Sequence, residues 1–194
     1  MKLIISLVLA LVIAFLGYLL YANIQEPIAF QKVKNEREDV VVSKLKEIRT
    51  AQELYRDITG HFSNNFDTLS YVLTNDSLVF ENIMGDPDDP TNSVFIRTIS
   101  KSAAIDTIRA LGINLDSLRY VPYNKEGAKF DIYADTMTYQ STLVNVVQVA
   151  TNWKSFMGSY GSVKYSKYDN SYNPNKLLKF GDMNAPNITG NWER

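Results

Sequence analysis

Three regimes of hydrophobic patterning follow one another along the chain. Residues 3–22 form a run of 20 positions without one charged side chain. At about 1.5 Å of rise per residue, a helix of that length covers about 30 Å, the hydrocarbon thickness of a bilayer. Further on, Val41, Leu45, Ile48, Ala51, Leu54, Tyr55 and Ile58 recur at steps of one helical turn, which draws an apolar face on a second helix. Beyond residue 77 the pattern breaks into short runs of β-branched and aromatic residues separated by turn signals, the mark of strands.

The apolar run predicts a retained transmembrane anchor. A cleaved signal peptide is the alternative, but its apolar core is normally only about 7–15 residues and ends in a small-x-small site. Here Leu20-Tyr21-Ala22 places a large side chain where a small one is needed. Tyr18 and Tyr21 sit near the far end, where amphipathic rings favour the interface. Ser6, Ala10, Ala14 and Gly17 lie close to one face and give a small-residue surface for membrane-helix packing, hence for self-association. Lys2 abuts the run on one side, whereas Lys32, Lys34 and Arg37 begin ten residues beyond it on the other. A bare count of cations favours a cytoplasmic domain. The adjacency of Lys2, and the ease with which long domains translocate, favour the opposite orientation, which is the expectation here.

Glu26-Pro27 predicts a break, because Pro disfavours helix in the residue before it and fits the first turn of a new one. The second helix is then expected over residues 28–59, ended by Gly60 in left-handed geometry. Its first half is mostly charged and reads as solvated, Lys34 included; its second half reads as docked. The expected organisation is an anchor over 1–24, a helical stalk over 25–40 and an α+β extracytoplasmic domain over 41–194.

Within that domain an Asn or Ser of Ser63-Asn64-Asn65 can cap a short helix turning Phe66, Leu69, Val72 and Leu73 inward. Strands are expected over 77–83 and 93–100, around a turn cluster at 85–90, and a short helix over 103–111 ending at Gly112. Three strands over 117–123, 128–134 and 142–150, joined by short turns, predict an antiparallel meander. Residues 158–174 read as a long Tyr-rich loop, and 177–180 as a last short strand. The fold class expected is α+β, with the long amphipathic helix packed on the meander. Leu45, Ile48 and Tyr55 would meet Phe130, Ile132, Val144 and Val146.

Composition narrows the function. A formal net charge of -1 and a pI near 5.9 argue against nucleic acid, which needs a basic footprint. There is no Cys, so no disulfide, thiolate metal site or Cys nucleophile. His61 is the single histidine; Ser63 and Asp67 lie nearby in sequence, but no nucleophile-elbow motif accompanies them, and a role over the last carbonyls of the helix suits it better. Asp86, Asp88 and Asp89 lack the Gly and Glu that complete a calcium loop, so no metal is expected. No phosphate-binding Gly loop or zinc spacing occurs, and no cofactor or catalytic residue is expected. Tyr160, Tyr165, Tyr168 and Tyr172 either pack on the sheet or offer a recognition surface, since Tyr gives contact area at low entropy cost.

The order of elements resembles the type IV pilins and the pseudopilins of type II secretion. The residues that carry it are Ile48-Arg49-Thr50-Ala51-Gln52-Glu53-Leu54-Tyr55, then Gly60-His61-Phe62 and Phe66-Asp67-Thr68-Leu69. The apolar run holds no acidic residue, the first being Glu26, so the resemblance implies the shape of the domain rather than filament assembly. Glu26-Pro27-Ile28, Lys44-Leu45-Lys46, Asp116-Ser117-Leu118-Arg119-Tyr120-Val121-Pro122-Tyr123 and Gly190-Asn191-Trp192-Glu193 also resemble a group of membrane-anchored envelope proteins of Bacteroidota. Together these imply a non-enzymatic, single-pass structural or assembly component of a bacterial envelope, pilin-like or a subunit of a secretion or pilus platform. It would sit in the inner membrane with a periplasmic domain, its partners lipid and other envelope proteins. The alternative is an anchored ligand-binding or sensory module using the Tyr-rich loop.

Overall fold

The computed structural model describes residues 2–84 and 96–193. Helix α1 (Lys2–Thr59) runs unbroken for 58 residues, with Pro27 inside it. The break expected at Glu26-Pro27 is absent. A proline at this position removes one rung, the bond that residue 27 would give to the carbonyl of Asn23. The chain passes through because both sides are fixed independently, the apolar run by its own helical preference and the following turns by packing against the domain.

Gly60 ends α1 with φ +81 and donates its N–H to the Arg56 carbonyl at 2.7 Å. The turn after it is pinned by the buried Gln52, whose Nε2 donates to the Ser63 carbonyl (2.8 Å) and whose Oε1 accepts from the Ser63 N–H (2.9 Å). Helix α2 (Phe66–Asn75) follows, capped by Asn65, whose side chain accepts from the Asp67 N–H at 2.7 Å. It buries Phe66, Leu69 and Leu73.

Strands β1 (Ser77–Met84) and β2 (Ile96–Ala103) form a two-stranded antiparallel sheet, with Ser77 opposite Ala103 and Met84 opposite Ile96. The turn cluster at 85–90, and with it Asp86, Asp88 and Asp89, lies outside the described residues. Helix α3 (Ala104–Ala110) buries Ala104 and Ile108.

The second sheet is an antiparallel meander of β3 (Asp131–Tyr139), β4 (Thr142–Asn152) and β5 (Leu177–Gly181) in that order. The strand expected over 117–123 does not form. Asn114 turns the chain by accepting from the Asp116 N–H (3.0 Å), Pro122 has no N–H to give, and Tyr123 takes φ +62. What survives is a single antiparallel bridge between Tyr120 and Lys129. β5 takes the missing place, on the other side of β4. The turn joining β3 to β4 is Gln140-Ser141, with φ +48 and +66, the handedness that two-residue hairpins prefer.

Alternation sorts the sheet. Val147 and Val149 share a face with Ala134, Ile132 and Phe180, and that face joins the core with Leu45, Ile48 and Tyr55 of α1. Val144 and Val146 fall on the opposite face and do not make the contacts expected of them, whereas Phe130 and Ile132 belong to the core or pack on it. The fold is α+β, with a long N-terminal helix and, among the described residues, two antiparallel sheets.

Candidate functional site: the seam between helix and domain

The core extends to the point where α1 leaves its apolar run, and there it carries its densest set of aromatic and polar contacts. Glu26, Phe30, Lys34, Arg37 and Val41 succeed one another at steps of three or four, so their side chains share one helical face. Against them lie helix α4 (Trp153–Met157), two 3₁₀ turns (Gly158–Tyr160 and Val163–Lys167) and the chain onward to Tyr172.

Phe30 is fully buried. Tyr165 stacks on it at 5.3 Å between centroids with the planes 6° apart, and Tyr172 meets it edge-on at 5.0 Å. Tyr160 and Tyr168 close the ring at 5.9 and 6.2 Å. Burial of a Phe is worth about 1.5–3 kcal/mol, and well-placed aromatic pairs add about 0.5–1.5 kcal/mol each. The Tyr172 hydroxyl donates to the Tyr160 carbonyl at 2.9 Å, and burial pushes its phenol up to about 12.

Polar contacts flank the ring on both sides. The Tyr168 hydroxyl donates to the Glu26 carboxylate. The Lys34 ammonium lies 2.6 Å from Asp169 and 5.4 Å from the centre of the Trp153 ring. Asp169 also accepts from the N–H and hydroxyl of Ser171, at 2.8 and 2.6 Å. The Lys34 ammonium, then these Ser171 bonds, hold its carboxyl well below the usual carboxylate range. Arg37 donates to the Phe156 carbonyl at 2.7 Å while its guanidinium lies 5.0 Å from the centre of the Tyr123 ring. Gly158 has φ +57, and a Cβ there would come within 3.0 Å of the Arg37 guanidinium, so glycine is what lets the two approach.

The solvated stalk expected over 25–40 is therefore a docked segment on this face. Lys34 and Arg37 are charged by type, but each lays a long side chain along an aromatic surface and ends on a fixed acceptor. The signal was present in the sequence, since the turn-by-turn period that starts at Val41 extends back through Arg37 and Lys34 to Phe30. Trp153 and Asp169, which complete the seam, gave no local signal at all. The four tyrosines of the expected loop converge on Phe30 of the helix; Tyr165 and Tyr172 are buried, and Tyr160 and Tyr168 partly so.

The other candidate residues lie elsewhere. Ser6, Ala10, Ala14 and Gly17 are exposed on the apolar half of α1, at least 13 residues before Phe30. That half is long and apolar enough to cross a membrane, and none of it is buried against the domain. His61 places Nδ1 3.1 Å from the Thr59 carbonyl at the end of α1, Ser63 donates its hydroxyl to the Asn65 carbonyl, and Asp67 pairs with Arg119. Among the described residues no three His, Asp or Glu side chains converge as metal ligands. An open cleft of about 660 Å³ lies beside the seam, lined by Arg37, Tyr123, Asn124, Lys154 and Ser155 among others. Comparison with protein-family models, with curated proteins and with solved structures gives no match for this chain.

Proposed function

We propose that this chain is a membrane-anchored structural or assembly component of a bacterial envelope, pilin-like in plan and non-enzymatic. It holds a folded domain at a fixed height and angle on the outer face of the inner membrane. The observation that carries this reading is the continuity of α1: one helix supplies both the apolar run and the spine of the domain, and the aromatic seam closes eight residues after Ala22. A flexible tether would suit a domain that searches for ligand. An unbroken helix clamped near its exit suits one that must be presented in register to neighbouring envelope proteins. The second reading, an anchored ligand-binding module, draws its support from the cleft beside Arg37 rather than from the tyrosines, whose rings are engaged with Phe30.

The test joins two measurements on the protein expressed in a bacterial envelope. Mass spectrometry of the membrane fraction should find residues 1–22 retained, and a reporter active only after export, fused at Arg194, should be active. A mature terminus near Asn23, or activity only of a cytoplasmic reporter, overturns the reading. Photo-crosslinkers at exposed positions such as Tyr71 and Leu143 should then capture envelope proteins or a second copy. Capture of small solutes in the cleft, with no protein adduct, would favour the binding module.

A further inference from the structure

The second 3₁₀ turn, Val163–Lys167, is the part of the domain tied to the helix nearest its apolar run. Tyr168 bonds to Glu26, and the Lys167 ammonium lies 3.9 Å from the same carboxylate. Tyr165 stacks on Phe30. At about 1.5 Å per residue, Glu26 stands about 6 Å and Phe30 about 12 Å beyond Ala22. The polar headgroup layer on each side of a bilayer is about 5–8 Å thick. If the apolar run spans the hydrocarbon, this turn lies at or just above the headgroups, and the unbroken helix keeps it there.

Its surface chemistry suits that place. Val163 is 63% exposed, and Lys164 and Lys167 are exposed beside it. Each ammonium lies over a tyrosine ring, Lys164 4.5 Å from the centre of Tyr165 and Lys167 4.4 Å from that of Tyr168. The groups presented to solvent are thus one apolar side chain and two cations, a set that suits contact with anionic headgroups. Of the acids nearby, Asp169 is bonded to Lys34, which leaves Glu26 facing two lysines and the turn with an excess of positive charge. We infer that the Val163–Lys167 turn is a lipid-contact surface, on which Lys164 and Lys167 seat the domain against anionic headgroups. This rests on the anchor reading above but not on which side of the membrane the domain occupies.

The chain has no cysteine, so single cysteines introduce unique labels. Full-length protein carrying a fluorophore at Phe15→Cys, Val163→Cys or Leu111→Cys is reconstituted in phosphatidylcholine vesicles with or without phosphatidylglycerol. Lipids with a nitroxide in the headgroup, or along the acyl chain, are the quenchers. Leu111, exposed at the end of α3, lines a groove with Lys46 and Thr50 of α1, far along that helix from its apolar run, and serves as the remote control. Acyl-chain nitroxide should quench the label at Phe15 in both lipids. Headgroup nitroxide should quench the label at Val163, more strongly with phosphatidylglycerol, and leave that at Leu111 unchanged. One lysine beside an anionic surface shifts the seated population about fivefold. Lys164→Glu with Lys167→Glu should therefore abolish the gain from phosphatidylglycerol. A Val163 label that behaves like the Leu111 label, or ignores lipid charge, overturns the inference while quenching at Phe15 leaves the anchor standing. No quenching at Phe15 overturns both.

Discussion

Phe30 has four tyrosine rings within 6.2 Å and no exposed surface, yet the residues that follow it, Gln31 to Asp39, are mostly charged. Large-to-small changes at such positions cost about 3–5 kcal/mol, because the cavity left behind collapses only in part. Phe30→Ala should lower the stability of the full-length protein in detergent by that amount. Tyr71→Ala, 68% exposed, should change it by less than about 0.5 kcal/mol, with urea unfolding as the measurement. Asp169 adds a dependence on pH. Its carboxyl is held down in the folded state by Lys34 and Ser171, so the unfolded chain takes up its proton first. The stability it supplies is full above the ordinary Asp value of about 3.9 and is lost as the pH falls towards its folded value. Glu38 works in the opposite sense, its carboxyl pushed up by burial, so the effect is isolated by comparing wild type with Asp169→Asn. The two should differ by about 1 kcal/mol near neutrality, the size of a partly screened pair, and converge as the pH falls below about 3.9. A gap that stays constant into acid would remove Lys34 and Asp169 from the account. At this scale the sequence misled by residue type: a lysine and an arginine count as solvated until the aromatic surface beneath them is known.

Among the elements, those with strong local signals formed where the pattern placed them. The cap at Asn65 and the stop at Gly60 each rest on neighbours in sequence. The elements that went astray depend on distant partners. Residues 117–123 carry strand-forming side chains, but Pro122 and the left-handed Tyr123 stop the ladder after one bridge. The hairpin at Gln140-Ser141 lacks the Asn-Gly or Asp-Gly that announces such turns. Pro27 is the sharpest case, because its local preference for a break is overridden by what holds the helix on either side. A proline inside a helix is about 3 kcal/mol less favourable than alanine. Pro27→Ala should therefore stabilise the protein by up to that amount and slow amide exchange around residues 24–31, as read by hydrogen exchange with mass spectrometry. Destabilisation would mean that the proline sets a bend on which the seam depends.

Taken whole, the molecule is a domain built along one side of a single helix. The helical face from Phe30 to Tyr55 covers 25 positions in seven steps, through Lys34, Arg37, Val41, Leu45, Ile48 and either Ala51 or Gln52, so it stays turned to the domain throughout. Contacts recur along its length: Arg37 to Phe156, Arg49 to Glu193 at 2.7 Å, and Asn145 to the Gly60 carbonyl at 2.6 Å. The α+β class and the docked second half of the helix were readable from periodicity. The docking of the first half shows in the sequence only as the period that runs back from Val41 to Phe30; its partner, a tyrosine cluster more than 120 residues away, gives no local sign of it. No hinge separates the apolar run from the domain. Hydrogen exchange on the full-length protein in lipid nanodiscs tests it at the residues concerned. Amides of residues 30–40 should exchange as slowly as those of 41–55, to within about an order of magnitude, because one packed helix protects both. Exchange of residues 25–40 near the rate of an unfolded chain, while 41–55 remain protected, would show a free stalk and contradict it.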